Sequence, residues 1–300
     1  MSVLLQAVDT EMHKNSPSRI NKPYIITEDI LYADDTLLIA ENPDALQTHL
    51  NVIAHMGKAF GLELNVDKTI LLNIRCDATI FGPGGEPIQR QDHAIYLGGV
   101  LSTDGNPKTE LTRRLGEAKG AFQKLSVVWN HANVCRRQKT RILETCIFSK
   151  LLYGLESCML LAADRDRLDG FQARCLRRIY KIAPAFISRV SNEDVRNTSG
   201  AVRLSSTLLQ RQLKYYGKLA RDRPGALPRQ MVFEEGRTYN ILPRKWNISR
   251  KQGRPRLQWT HYMHARALSL AGDSPDRLQS LLRGPPASWE AAVARYCESM

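Results

Sequence analysis

The sequence lacks the marks of a secreted, membrane-spanning or disulfide-held protein. Its six cysteines, at positions 76, 135, 146, 158, 175 and 297, include no CxxC pair. Cys146, Cys158 and Cys175 fall among apolar residues at helical spacing, where a free thiol packs as a small hydrophobe. That usage argues against a disulfide framework and fits a reducing compartment. No charge-free apolar stretch approaches the ~18–20 residues that a membrane span needs. Residues 1–15 carry no cationic segment ahead of their short apolar run, unlike a secretory leader. The expectation is an intracellular protein with no membrane partner. His261 and His264 have no thiol or carboxylate at ligand spacing, so they read as an ordinary helix surface rather than a zinc site. Aromatics are scarce at 7%, yet 43% hydrophobic content over 300 residues is enough for one large domain or two small ones.

Charge is plentiful but uneven. The net +13 hides an acidic start: residues 1–60 are net −4 and residues 61–160 net +3. Residues 161–300 hold 26 basic and 12 acidic side chains, net +14. A basic second half behind an acidic start points to a polyanionic partner, most simply nucleic acid, although basic halves also serve plain solubility.

The pattern along the chain divides near residue 106. Before it, Tyr24 to Ile30 and Thr36 to Ala40 read as short strands around a tight connection at Ala33-Asp34-Asp35. Asn42-Pro43 opens a helix to about Phe60, with Leu46, Leu50 and Ile53 on one face. Leu62 to Val66, Lys68 to Ile74 and Ala94 to Leu101 read as extended pieces, with a turn at Phe81-Gly-Pro-Gly-Gly. After Asn106-Pro107 the periodicity becomes helical: Leu111, Leu115, Ala118, Phe122 and Leu125, then residues 137–161, 164–182 with an Asp164 cap, and 204–221. On these helices Arg174, Arg177, Arg178 and Lys181 face away from the apolar stripe, as do Arg211, Lys214 and Lys218. Residues 222–258, rich in Pro, Gly and Arg, read as a linker before two or three short closing helices. The fold class expected is α+β.

Chemistry is concentrated in Ile30-Leu-Tyr-Ala-Asp-Asp-Thr-Leu-Leu-Ile39. Two adjacent carboxylates between two apolar runs repel one another, and a divalent cation neutralises them naturally. Two-metal phosphoryl transfer needs oxygen ligands fixed on strands in this way. A solvated Asp-Asp turn is the competing reading of those ten residues alone.

The flanking sequence resembles the reverse transcriptases of non-LTR, LINE-type retrotransposons. Tyr32-Ala-Asp-Asp35 resembles their catalytic hairpin, and Gly61-Leu-Glu-Leu-Asn-Val-Asp-Lys-Thr69 their GLxLNxxKT segment. Tyr96-Leu-Gly-Gly-Val-Leu-Ser102 resembles their YLGxxL primer-grip hairpin. Arg113–Lys119, Lys150-Leu-Leu-Tyr-Gly-Leu-Glu156 and Phe171-Gln-Ala-Arg-Cys-Leu-Arg-Arg-Ile179 look like their helical thumb and its continuation. Gly253-Arg-Pro-Arg-Leu-Gln-Trp259 resembles a weaker GRPxxxW element. The likeness implies a small antiparallel palm remnant over 1–106, a helical thumb over 107–200 and a basic helical tail over 201–300. It implies magnesium-dependent addition of deoxynucleotides to a DNA primer on an RNA template.

By that resemblance, Asp34 is a magnesium ligand and Asp35 supports the second ion or the hairpin's charge balance. Tyr32 lies under the incoming nucleotide, Lys68 lies near phosphates, and Gly98 and Gly99 let the primer backbone approach. Arg174, Arg177, Arg178, Lys181, Arg211, Lys214 and Lys218 track the template–primer duplex, although a solvated helix face explains either set equally well. The family's third palm carboxylate comes from a segment that matches nothing in this sequence. Glu28 shares a face with Asp34 but sits about 20 Å from it along the strand. Asp29 points to the other face. The expectation is a polymerase fragment that is inactive alone, or else a non-catalytic RNA- or DNA-binding fragment acting through its basic helices.

Overall fold

The computed structural model describes residues 29–32, 35–131, 133–234, 241 and 258–298. They form two compact units, residues 1–106 and 107–300.

In the first unit, β1 (Asp29–Tyr32) and β2 (Asp35–Leu38) pair antiparallel. Helix α1 (Pro43–Ala59) begins as its sequence dictates: the Asn42 side chain accepts from the Ala45 amide at 2.7 Å, and Pro43 fills the first turn. Leu50 of α1 packs with Leu71, Ile80 and Ile88, and Leu38 of β2 lies against this small core. Gln47 fastens the helix to the Phe81 turn by donating to the Phe81 carbonyl at 2.9 Å and accepting its amide at 2.8 Å. The Gly61–Thr69 segment is less extended than its sequence suggests. Val66–Lys68 is a 3-10 turn capped by Asn65, whose side chain accepts the Lys68 amide.

Three two-stranded pairs form in this unit among the described residues, rather than one antiparallel palm sheet. The pair of β3 (Ile70–Leu71) with β4 (Gln89–Arg90) is parallel. Leu37 is half-buried and Ile39 is exposed, as expected of strands with few packing neighbours.

The run read as one strand over residues 94–101 is two, β5 (His93–Tyr96) and β6 (Gly99–Ser102), joined by Leu97 and Gly98. Both connecting residues have positive φ, 49° and 76°, the geometry of a type I′ turn. A leucine there is strained, whereas asparagine tolerates the left-handed region. Leu97→Asn is therefore expected to stabilise the hairpin by about 0.5–1 kcal/mol. Gly98→Val should weaken it by more. Amide hydrogen exchange over residues 93–102 measures both, and slower exchange in Gly98→Val than in Leu97→Asn would refute the account.

The second unit is helical and has two cores. Helix α2 (Lys108–Lys124) is followed by α3 (Ser126–Asn130) and α4 (Arg136–Ile142). A π-helical stretch, Leu143–Phe148, leads from α4 into α5 (Ser149–Leu151). The helix expected to reach residue 161 stops here, and Gly154 takes φ 75° at the break. Helix α6 (Ala162–Tyr180) starts two residues before the expected cap. Asp164 sits in its first turn and accepts the Leu161 amide at 3.4 Å. Short helices α7 (Ala185–Ser188) and α8 (Asn192–Ser199) follow. Leu111, Trp129, Leu143, Ile147, Leu168 and Leu176 lie at the heart of the first core.

Helix α9 (Leu204–Arg221) belongs to both cores: Leu204 and Leu208 enter the first, Leu213, Tyr216 and Leu219 the second. Its own N-cap residue, Arg203, makes no side-chain cap bond, and the cap comes from α6 instead. Asp169 accepts the Ser205 amide at 2.9 Å and its hydroxyl at 2.6 Å. After α10 (Leu227–Gln230), helices α11 (Trp259–Leu270), α12 (Pro275–Arg283) and α13 (Pro286–Glu298) complete the second core. The segment read as a plain linker is partly structural: Val232 and Phe233 are buried in that core.

Two further sequence expectations change. Cys146 is exposed rather than packed, while Cys175 is buried and its thiol is pushed up to about 12 by desolvation first of all. His264 is half-buried rather than on a plain helix surface: its Nδ1 lies 2.8 Å from the Tyr216 hydroxyl, and burial, with His261 beside it, lowers its pKa. No helix among the described residues is long and apolar enough to cross a membrane.

Candidate active-site hairpin and nucleic-acid interface

The register of β1 on β2 places Tyr32 directly opposite Asp35. Positions 33 and 34 fall between them, so the Asp34 assignment lies outside the described residues. Tyr32 is 63% exposed and Asp35 is exposed. The tip of the second hairpin lies near it. Burial and then the Asp35 carboxylate raise the pKa of Tyr96, the last residue of β5. Tyr96 was legible as part of the YLGG segment but carried no role in the sequence reading. Lys68 is exposed on the 3-10 turn.

The two glycines of the second hairpin differ. Gly98 is required by the positive φ of the turn. A Cβ at Gly99 would meet nothing nearer than the Tyr96 carbonyl oxygen at 3.7 Å, an ordinary contact. Among the described residues, steric demand therefore accounts for Gly98 but not Gly99.

The seven cations expected to face a nucleic acid separate into three groups. Arg174, Arg178 and Lys218 are exposed and held by no ion pair among the described residues. Lys181 caps α6 in the left-handed conformation and donates to Asn130 at 3.1 Å, Arg211 lies 3.7 Å from Glu156, and Lys214 lies 4.0 Å from Glu290. Arg177 is a correction. It is buried, and its guanidinium donates to the carbonyls of Ala183 at 2.9 Å and Val190 at 2.7 Å and to the Asn192 side chain at 3.0 Å. The periodicity of α6 alone misplaces it, because the chain after the helix folds back over its face.

No group of three or more His, Cys, Asp or Glu side chains suited to a metal ion occurs among the described residues, a set that does not include Asp34. Asp35 contributes hard carboxylate oxygens of the type that magnesium prefers.

Comparison with known proteins gives a common theme. A transposon-derived protein of Caenorhabditis elegans is 26% identical over 238 residues, which span 76% of this chain and 81% of that protein. The retrovirus-related Pol polyprotein from a type-1 retrotransposable element of Popillia japonica is 26% identical over 160 residues. That match spans 46% of this chain and 20% of the polyprotein, so the chain covers about a fifth of the larger relative. No family model and no solved structure matches. The chain is thus related to retrotransposon-derived proteins.

Proposed function

We propose that this chain is the hairpin-and-thumb part of a LINE-type RNA-directed DNA polymerase, which grips RNA template and DNA primer through its basic helices. The observation that carries the reading is the strand register setting the exposed Tyr32 against the exposed Asp35. The relationship to a retrotransposon Pol polyprotein supports it. So does the net +14 of residues 161–300, which suits a phosphate backbone.

In this reading Asp34 and Asp35 would hold magnesium, which would supply neutralisation of phosphate charge. Tyr32 lies beneath the incoming deoxynucleotide, and Lys68, Gly98 and Gly99 border the primer. Arg174, Arg178 and Lys218 meet phosphates, with Lys181, Arg211 and Lys214 at their edge. No residue of the sequence matches the family's third palm carboxylate, so the 300-residue chain binds nucleic acid but does not extend a primer by itself.

The test is a pair of assays on the purified chain. Binding to an RNA–DNA hybrid, with magnesium chelated, is expected to weaken steeply with salt, at a slope of about −0.9 per phosphate neutralised on a duplex. Arg178→Gln with Lys218→Gln is expected to flatten that slope. Primer extension with deoxynucleotides and magnesium is expected to give no product. A salt-independent affinity would overturn the nucleic-acid reading. Incorporation abolished by Asp34→Ala would overturn the inactivity while upholding the site.

A further inference from the structure

The strongest feature outside the hairpin is a groove of about 640 Å³ between α2 and α6. Thr112, Leu115, Gly116 and Lys119 line it from one helix at steps of three and four. Ala163, Asp166, Arg167, Gly170 and Arg174 line it from the other with the same helical spacing. Both stripes therefore face one another along their lengths. Seven residues of α2 at 1.5 Å each give a groove about 10 Å long, extended by the longer α6 stripe to about 16 Å.

Three cations and one carboxylate set its charge. Arg167 is anchored at one end, its guanidinium donating to the Thr112 hydroxyl at 3.0 Å with Asp164 3.5 Å away. Lys119 and Arg174 are exposed, and no ion pair among the described residues engages either. The groove is thus net positive, with two cations available to a ligand.

Its floor is the more telling part. Glycine is a poor residue for the middle of a helix, so one retained there has a reason in packing or in access. Packing does not explain Gly116: a Cβ there would meet no atom within 4 Å. A Cβ at Gly170 would meet only the end of the Arg174 side chain, at 3.5 Å. Both glycines instead leave the groove lining without a side chain, Gly170 beside the end of Arg174. A smooth floor with positive walls suits a chain whose backbone carries the negative charge.

We infer that this groove seats one sugar–phosphate strand, with Lys119 and Arg174 on its phosphates, Arg167 held at one end, and Gly116 and Gly170 giving the backbone close approach. The groove length matches about three to five stacked nucleotides at roughly 3.4 Å each. The inference rests on the nucleic-acid reading above and deepens it, moving the principal contact from the outer helix faces into the cleft between α2 and α6.

Titrations of the full chain with labelled 15-nucleotide single strands, one RNA and one DNA, test it across a salt series. Lys119→Gln with Arg174→Gln is expected to weaken binding at least tenfold and to flatten the slope by about 0.7 for each phosphate no longer neutralised on a single strand. Gly116→Gln, which fills the floor without removing charge, is expected to weaken binding several-fold at an unchanged slope. Arg295→Gln, which removes a cation on α13, should stay within twofold of the wild type. Weaker binding in both arms identifies phosphate recognition, and weaker binding in the RNA arm alone adds recognition of the 2′-hydroxyl. Circular dichroism must show unchanged helix content in each variant. Steep, salt-dependent binding by the wild type with all groove variants unaffected would overturn the groove and spare the wider reading. No binding by the wild-type chain would overturn both.

Discussion

Arg177→Met is expected to lower the unfolding free energy of residues 107–300 by about 2–4 kcal/mol, while Arg178→Met, one position along, changes it by less than about 0.5 kcal/mol. The two arginines are neighbours in a basic run, yet they face opposite demands. Arg178 is exposed. Arg177 closes the segment after α6 by bonding Ala183, Val190 and Asn192, which bracket the short helix α7. Methionine matches the aliphatic stem but leaves two part-buried carbonyls without that donor, and orphaned polar groups cost more than the bonds gained. The Ser191 capping box at the start of α8 should loosen with it, because its approach is fixed by the same guanidinium. Urea titrations of the two variants decide the matter. Equal losses would mean that Arg177 does not hold this segment.

The second large effect has an unexpected sign. Substituting alanine for a glycine inside a helix ordinarily stabilises it by up to about 1 kcal/mol. At Gly217 of α9 the same change is expected to destabilise by about 3 kcal/mol, at the upper end for an overpacked core. The indole of Trp289 lies where the new Cβ would sit, meeting it through Nε1, Cδ1 and Cε2. Trp289 is buried, and its Nε1 donates to the Leu213 carbonyl at 3.0 Å, so it cannot slide aside without breaking that bond. The ring also lies 6.4 Å from Tyr216, centroid to centroid, within the second core. Thermal melts followed by tryptophan fluorescence should show the loss, and Trp289→Leu in the Gly217→Ala background should recover part of it. A melting temperature at or above that of the wild type would refute the packing argument.

How much of this was written in the sequence depends on how local the cause was. The start of α1 could be read from Asn42-Pro43 because both capping effects act within one turn. The apolar stripes of α2 and α9 were equally plain, since burial and period coincide there. Residues 94–101 read as one strand because the alternation runs through the turn unbroken. Only a positive φ at Leu97 separates the two halves, and leucine does not announce it. Arg177 misled for a different reason. Helical spacing tells which face a residue occupies, but not that the chain returns over that face six to fifteen residues later. The groove between α2 and α6 was invisible for the same cause, because two glycines and three cations on separate helices have no shared pattern in the linear order. The acidic pair at 34 and 35 was legible as a composition and a motif, and the structure adds the register of its flanking strands.

Helix α9, 18 residues and about 27 Å long, is set in one core at its beginning and in the other at its end. Its first turn is pinned by Asp169 of the same helix that lines the groove. Through Asp169 the helix shared by both cores is thus joined to the helix that forms one wall of the cleft, so the two cores and that wall are parts of one connected framework.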